Sequence, residues 1–580
     1  MIVLRRCRKR KEFVMKEKLK KLFERIKESF SSDGINVTRI IASLVIGTAV
    51  SFLLFYVFLP PINLRATGFY VYLTACLAAY LLPLAGVKMS QYVQVVKKTA
   101  TSPVRKKRKS DLQVKPAFIV VTLIPLVFML LGLIISSPLF CARAYAKIIT
   151  VQESDFDEDL PESDEVTNIA LMDTDSAMML GNRELGSLSE VVSQYTVSPD
   201  YIQINYQRTP QKVASLEYDG FFKWLGNRDE GVPGMVMVDP VKNSAGYMEF
   251  KEAIKYTPSA YFGEDLERKL RFSYPTKIFD SISFEVDDEG NPYYIVSCAK
   301  PQVMLFGAMD VTEVIIFDPT SGESEIYDVK DAPAWIDIVY TGNLASEKFN
   351  WQGLYSGGFF NSIIGNVGCK QATDDFGYVV LGDDVWYFTG VTSAVADDMS
   401  NIGFILTNAR TGEYKFYAVN GAEEHSAMAA AEGEVQEKGY VASFPSLINV
   451  SGQPTYIMVL KDAAGLVKLY ALVNVENYST VATGATQAEA MSAYKKLLPQ
   501  GGGNVSEETH TATVTVENVR IVDVSGVATV YITTDIGVLK GYLGSDEALI
   551  LVKNGDSLTV TYSETSIEGI YLISEWEFAE

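Results

Sequence analysis

Three stretches of this chain, residues 40–59, 68–87 and 117–141, contain no Asp, Glu, Lys, Arg or His over 20, 20 and 25 residues. At 1.5 Å of rise per residue, each is long enough as a helix to cross a hydrocarbon core of about 30 Å. One such stretch could be a buried core helix of a soluble domain. Three of them, each edged by charge, call for lipid as the solvent. The expectation is therefore an N-terminal region of three transmembrane helices spanning residues 40–141. The first stretch lacks the form of a secretory signal: it is too long for an apolar signal core, and Pro60, Pro61, Ile62 and Asn63 follow it where a small-residue cleavage site would stand.

Charge sets the expected orientation. Residues 1–39 carry 13 Lys/Arg against 5 Asp/Glu, and the loop 88–116 carries 9 against 1, including Arg105, Lys106, Lys107, Arg108 and Lys109. The other loop, 60–67, holds only Arg65. By the positive-inside rule the N-terminus and the loop 88–116 are cytoplasmic, and the chain after the third helix is extracellular. That remainder, 142–580, carries 28 Lys/Arg against 65 Asp/Glu in a chain whose net charge is −20. Within the basic segment 1–39, Leu19, Leu22, Phe23, Ile26 and Phe30 recur at helical spacing among lysines. They read equally as an amphipathic helix on anionic lipid and as a solvated tail that only sets topology. Met15 is a second plausible start, which would leave 1–14 outside the protein. Spans without ionisable groups argue against a pump or ion-coupled transporter and for an anchor. Gly47, Ser51, Gly132 and Ser136 are small enough to let the helices pack.

Residues 142–168 read as an acidic linker. Asp155, Asp157 and Asp159 alternate like the first half of a calcium loop, but Leu160 stands at its glycine position and Val166 at its terminal glutamate position. No metal site is expected there.

Residues 169–499 alternate short strands with helices, which implies an α+β exterior domain. One hairpin recurs. Residues 314–327 read Val-Ile-Ile-Phe-Asp-Pro-Thr-Ser-Gly-Glu-Ser-Glu-Ile-Tyr, and residues 403–417 repeat the form, with turn glycines Gly322 and Gly412 90 positions apart. An Asp or Asn opens the turn through its side chain and Gly takes a positive φ. A weaker copy begins at Met235 and a looser one covers 456–470. Aromatic strands at 293–296 and 385–388 precede the first two. Residues 422–438 are rich in Ala and Glu and end at Gly439, and 486–498 open with Thr486 and Glu489 at capping-box spacing, so both are expected helices. Residues 500–510 read as a flexible linker. Residues 511–580 hold five expected strands, 511–524, 528–534, 538–543, 557–562 and 569–577, in a small β-barrel of OB type. This last segment carries 3 Lys/Arg against 11 Asp/Glu, the wrong sign for binding phosphate, so nucleic acid is not an expected partner.

The hairpin with its Asp/Asn-x-x-x-Gly-Glu turn, beside an Ala-rich helix, resembles PepSY-type modules over residues 314–327 and 403–475. Such modules occur in bacterial envelope proteins, some of which restrain proteases. Stretches such as 401–406 and 460–468 are also similar to uncharacterised multi-pass membrane proteins of Gram-positive bacteria with a large exterior domain. That likeness implies a cell-envelope location and supplies no site residues.

Catalytic signatures are sparse. Ser492 and Lys495 have the spacing of a Ser–Lys pair, but no Lys-Thr-Gly accompanies them and a surface helix accounts for both. His425 and His510 are the only histidines, and both read as solvent-exposed. Acidic pairs at 374–375, 383–384 and 397–398 fall in turns. Cys298 and Cys369 are read as buried thiols, with a disulfide as the alternative. Trp351, Tyr355, Phe359 and Phe360 lie in a Gly-rich aromatic segment that reads either as core or as a binding surface for peptide or glycan. The expected function is a non-enzymatic, membrane-anchored envelope scaffold or regulator that needs no cofactor. It would have membrane lipid and an envelope protein or glycan as partners. An envelope hydrolase using Asp/Glu and an accessory subunit of a transport or secretion complex are the alternatives.

Overall fold

The structure is a computed structural model that describes residues 37–85, 116–160, 171–373, 375–382, 384–394, 400–498, 510–524, 527–542, 547–564 and 570–579. The amphipathic segment 13–30, nearly all of the basic loop 88–116 and the linker 500–509 lie outside the described residues.

Three helices, α1 (Val37–Phe58), α2 (Thr67–Ala85) and α3 (Pro116–Ser136), are long and apolar enough to cross a membrane. Most of their large side chains, among them Ile40, Leu44, Phe52, Phe128 and Leu131, point outward. Gly47 of α1 lies against the Tyr80 ring of α2, where a Cβ would come within 2.2 Å of the ring. The Tyr72 hydroxyl donates to the Ser51 carbonyl at 3.1 Å. The third expected span, 117–141, is shorter than its apolar run. Pro138 biases Ser137 to extended backbone (φ −70°, ψ 156°), so α3 stops at Ser136 and a separate helix, α4 (Pro138–Tyr145), begins.

Beyond α4 the chain forms mixed α+β structure in two compact units. One comprises residues 1–153, 172–398 and 404–416, the other 154–171, 399–403 and 417–580. Among the described residues a helix is followed four times by a four-stranded meander. Thr174–Ser187 precedes Ile202–Tyr206, Thr209–Tyr218, Val232–Asp239 and Ser244–Ile254. Leu266–Ser273 precedes Ile278–Val286, Pro292–Val303, Gly307–Phe317 and Ser324–Asp328. Gly342–Tyr355 precedes Gly377–Leu381, Asp384–Ser393, Ser400–Asn408 and Tyr414–Tyr417. Glu424–Glu434 precedes Ser446–Val450, Gln453–Lys461, Val467–Asn474 and Val481–Gly484. The first two repeats share one core, in which Ala177 and Leu185 of one helix and Leu266 and Leu270 of the next meet Leu216, Val236, Phe284 and Ile315 from the strands.

The recurring hairpin is the turn between the third and fourth strands, and its atoms repeat as its residues do. Gly322 N–H donates to Asp318 O at 2.8 Å and Thr320 N–H to Asp318 Oδ1 at 2.7 Å. Gly412 N–H donates to Asn408 O at 2.9 Å and Arg410 N–H to Asn408 Oδ1 at 2.9 Å. In the second, third and fourth repeats the segment entering the helix docks on the same turn. Tyr256 N–H donates to Pro319 O (3.1 Å), Tyr340 N–H to Ala409 O (2.8 Å) and Ala422 N–H to Val475 O (2.9 Å). The stretch 456–470 departs from the pattern: it forms the hairpin between the second and third strands of its repeat, and the equivalent turn follows Asn474.

Part of the expected acidic linker is structured. Val151–Glu153 pairs in parallel with the strand Tyr414–Tyr417. Phe156–Asp159 is a short helix with Phe156 and Leu160 buried, and Asp159 accepts from the Tyr417 hydroxyl at 3.0 Å. Phe156 and Leu160, one helical turn apart, serve burial. The expected helix 422–438 is the α-helix Glu424–Glu434 plus a 3-10 turn ending at Gly439, φ +62°. The helix Gln487–Leu497 starts at N-cap Thr486, whose Oγ1 accepts from Glu489 N–H at 3.2 Å.

Residues 510–578 contribute five strands, His510–Val524, Val527–Thr534, Gly537–Tyr542, Ser557–Glu564 and Ile570–Phe578, that close into a barrel. Val514, Val516, Val530, Ile532, Leu539, Leu558 and Val560 fill it. Alternation along each strand sends these side chains inward.

Candidate functional site: the membrane-proximal face

The loop between α1 and α2 and the C-terminal end of α3 are bonded directly to residues of the first unit that follow α4. Ile62 N–H donates to Pro275 O at 2.7 Å and Asn63 Nδ2 to Thr276 O at 2.8 Å. The Arg268 guanidinium lies 4.4 Å from the centre of the Tyr56 ring, and Phe55 packs edge-on against Phe272 at 5.3 Å. At α3, Ser136 Oγ accepts from Leu305 N–H and Phe306 N–H, both at 3.2 Å. The Phe306 ring sits where a Cβ on Gly132 would meet it at 2.4 Å, and it packs edge-on against Tyr70 at 5.6 Å. Gly132 and Ser136, expected to pack span against span, therefore receive the hairpin tip between Pro292–Val303 and Gly307–Phe317.

Beside the end of α1 lies a cavity of about 460 Å³, lined by Phe58 and Leu59 and by Asp200, Glu217, Glu267, Arg271 and Asp280. Burial raises the Glu217 carboxyl, opposed by its bond to Ser198, and burial with the nearby Asp310 charge raises Asp280. Burial lowers Arg271 to about 10, and its Nη1 donates to Lys277 O at 2.6 Å. Four carboxyl side chains against one guanidinium favour a cationic guest over an anionic one. Glu267 and Arg271 share one helix at i, i+4 spacing, while Asp200, Glu217 and Asp280 come from a loop and two strands, so the group is spread over 81 positions, from 200 to 280. The linear pattern offers only the Glu267–Arg271 spacing and nothing that joins it to Asp200, Glu217 or Asp280.

A second acidic group is sealed from solvent where the first three repeats of the first unit meet. Glu285 accepts from Asp337 N–H (2.8 Å) and Ile338 N–H (3.0 Å), while Asp337 Oδ2 accepts from Asn205 N–H (2.7 Å). Burial, followed by the Asp337 charge, raises Glu285 well above the ordinary carboxylate range, and burial raises Asp337 as well. Both side chains are buried, and their bonds tie the three repeats together.

The four aromatic residues singled out in the sequence fall into two groups. Trp351 and Tyr355, on the helix Gly342–Tyr355, pack edge-on against Tyr145 of α4 at 5.3 and 6.1 Å, and the Tyr145 hydroxyl donates to Ser136 O at 2.9 Å. Phe359 is half-buried against Phe360 at 5.8 Å, and Phe360 is exposed. Ser492, His425 and His510 are exposed. Asp384 lies on a strand and binds Arg410 at 2.7 Å. Cys298 and Cys369 are free and buried, and burial pushes the Cys298 thiol up to about 12. Among the described residues no group of His, Cys, Asp and Glu could hold a metal ion.

No family model matches this chain, and no curated protein matches it. Among solved structures, the Bacillus megaterium YpeB C-terminal domain aligns over 42% of this chain and 98% of its own length, at 12% identity and a TM-score of 0.09. A superposition at that score carries no argument about this chain.

Proposed function

We propose that the protein is a membrane-anchored cell-envelope scaffold or regulator whose exterior domain binds a protein or wall component without catalysing a reaction. The observation that carries this reading is the fastening of the exterior residues of the first unit to the ends of the spans. Backbone bonds at Ile62 and at Leu305–Phe306 suit an element held in fixed orientation to the membrane. The basic flanks support a cytoplasmic N-terminus and an extracellular C-terminal domain. The repeated helix–meander units and their Asx turns support PepSY-like modules. The strand order of the C-terminal barrel supports an OB-type reading: the third and fifth strands pair in parallel and a 3-10 turn (Glu547–Leu551) precedes the fourth.

In-cell crosslinking, purification of the tagged full-length chain from its native membrane and mass spectrometry test the proposal. An envelope protein or glycan fragment is expected as the main product. Recovery of the chain alone would count against it, and recovery within a transport or secretion complex would make it an accessory subunit. The raised carboxyls of Glu217 and Asp280 in one cavity favour a second reading, an envelope hydrolase. Hydrolytic turnover by the purified protein that disappears in Glu217→Gln would establish that reading instead.

A further inference from the structure

We infer that the exterior part of the first unit itself enters the outer leaflet, through three apolar loops that surround the ends of the spans and contact acyl chains. The inference rests on the reading of α1–α3 as membrane spans. The first loop is the hairpin tip Met304–Phe306. Phe306 reaches Gly132, one helical turn inside the end of α3, so the tip lies at the depth of that turn, and the neighbouring Met304 is 62% exposed. The second joins Phe222, on the short helix Phe221–Asn227, to Phe262 in the turn before Asp265, both rings neighbouring Phe221 at 5.5 and 6.4 Å. Arg268, whose ring contact is Tyr56 near the end of α1, donates to Phe262 O at 2.7 Å. Phe222 is 83% exposed and Phe262 58%. The third follows the helix that carries Trp351 and Tyr355, both packed on Tyr145 beside the end of α3. Its Phe360, Ile364 and Val367 are 70%, 80% and 79% exposed.

Isolated exposed apolar side chains are ordinary on a protein surface. One of these patches contacts a span directly at Gly132 and Ser136, one is linked to α1 through Arg268, and one follows a helix packed on Tyr145 of α4; together they place exposed apolar side chains beside the ends of the helices. An apolar grouping of this kind marks an interaction site. Its position selects acyl chains as the occupant over a protein partner, because the hairpin tip already lies beside Gly132. Trp351, Tyr355 and Tyr145 then stand where amphipathic rings favour the membrane–water boundary. The other end of the strand Pro292–Val303 provides an internal reference. Its 12 residues place the turn holding exposed Glu289 roughly 36 Å along the strand from the tip.

The test uses the unaltered full-length protein in vesicles that contain a phospholipid with a diazirine on its acyl chain. After irradiation, adducts are mapped by mass spectrometry. Adducts are expected on α1–α3 and on all three loops. Loop yields should lie roughly tenfold above that of the turn 287–291, since the carbene reacts only where acyl chains reach. Adducts confined to the helices would overturn the inference while leaving the anchor intact. Helices free of adducts would overturn the anchor reading as well. Bimane on Ile364→Cys and on Glu289→Cys gives a second measurement. Lipids brominated in the acyl region are expected to quench the first label and not the second, and equal quenching would contradict the inference.

Discussion

Lys348 is 3% exposed, and its ammonium forms an ion pair with Asp310 at 2.5 Å while lying 4.5 Å from the Tyr340 ring. Removing one partner of a buried pair leaves the other charge uncompensated, which costs about 3–5 kcal/mol. Asp310 is partly exposed, so the lower end of that range applies. Lys348→Met is expected to destabilise the full-length protein in detergent by about 3 kcal/mol in urea unfolding, and adding Asp310→Leu is expected to recover most of it. A double variant no more stable than the single one would show that packing against Tyr340 dominates. The Glu285–Asp337 pair gives a pH dependence. Both carboxyls are raised in the folded state, so folding favours their protonated forms. Their contribution is complete below the unfolded carboxylate range, about pH 4, and is lost as pH rises through the folded values. The melting temperature should therefore be higher near pH 5 than near pH 8.5, and Glu285→Gln should flatten the difference while lowering stability throughout. A slope unchanged by that substitution would assign the dependence to other groups.

At the scale of elements, the hairpin turn carries information that a linear reading could use. Gly322 and Gly412 adopt φ of +78° and +72°, and a Cβ on either would meet the ring of Tyr256 or Tyr340 within 2.5 and 2.8 Å. Two penalties therefore act at one position, a left-handed backbone and an occupied space. Gly412→Ala is expected to cost about 1–3 kcal/mol, read by urea unfolding. Gly433, in the helix Glu424–Glu434 with open space around it, should tolerate Ala or gain from it. The Asx-Gly signature was legible because local backbone chemistry fixes it. The stretch 456–470 shows where local reading stops: Asp462 and Gly465 form a sound turn, and only the pairing of Gln453–Lys461 with Val467–Asn474 places it one hairpin earlier. The α3 boundary was misplaced because hydropathy continues through Leu139 and Phe140 while the backbone breaks at Ser137–Pro138. Trp351 and Tyr355 stood out by composition, but their partner, Tyr145, lies about 200 positions earlier and no periodicity connects them. The cavity beside α1 was invisible for the same reason.

At the scale of the molecule, the central question is whether the part of the first unit that follows α4 is tethered to α1–α3 or seated on them. A tether would leave the hairpin tip 304–306 free of the spans, and α3 would tolerate any apolar residue at its ends. The contacts at Gly132 make a sharper demand. A side chain there would collide with Phe306, whose ring also packs on Tyr70, while Leu is itself a strong helix former in α3. Gly132→Leu should therefore leave the spans inserted and displace the hairpin, at an overpacking cost of about 1–3 kcal/mol. In nanodiscs the expected readout is faster proteolysis within the exterior domain, with membrane integration unchanged on alkaline extraction. Phe306→Ala should also loosen the seat. Combining it with Gly132→Leu should restore part of the loss, since the leucine would occupy the space the ring leaves, with a coupling of about 0.5–3 kcal/mol between residues in contact. Additive effects would mean the two residues act independently and that the seat rests on the remaining bonds at Ile62, Asn63 and Ser136. Non-additivity would make the orientation of that part of the first unit to α1–α3 a property of the fold, as the proposed scaffold requires.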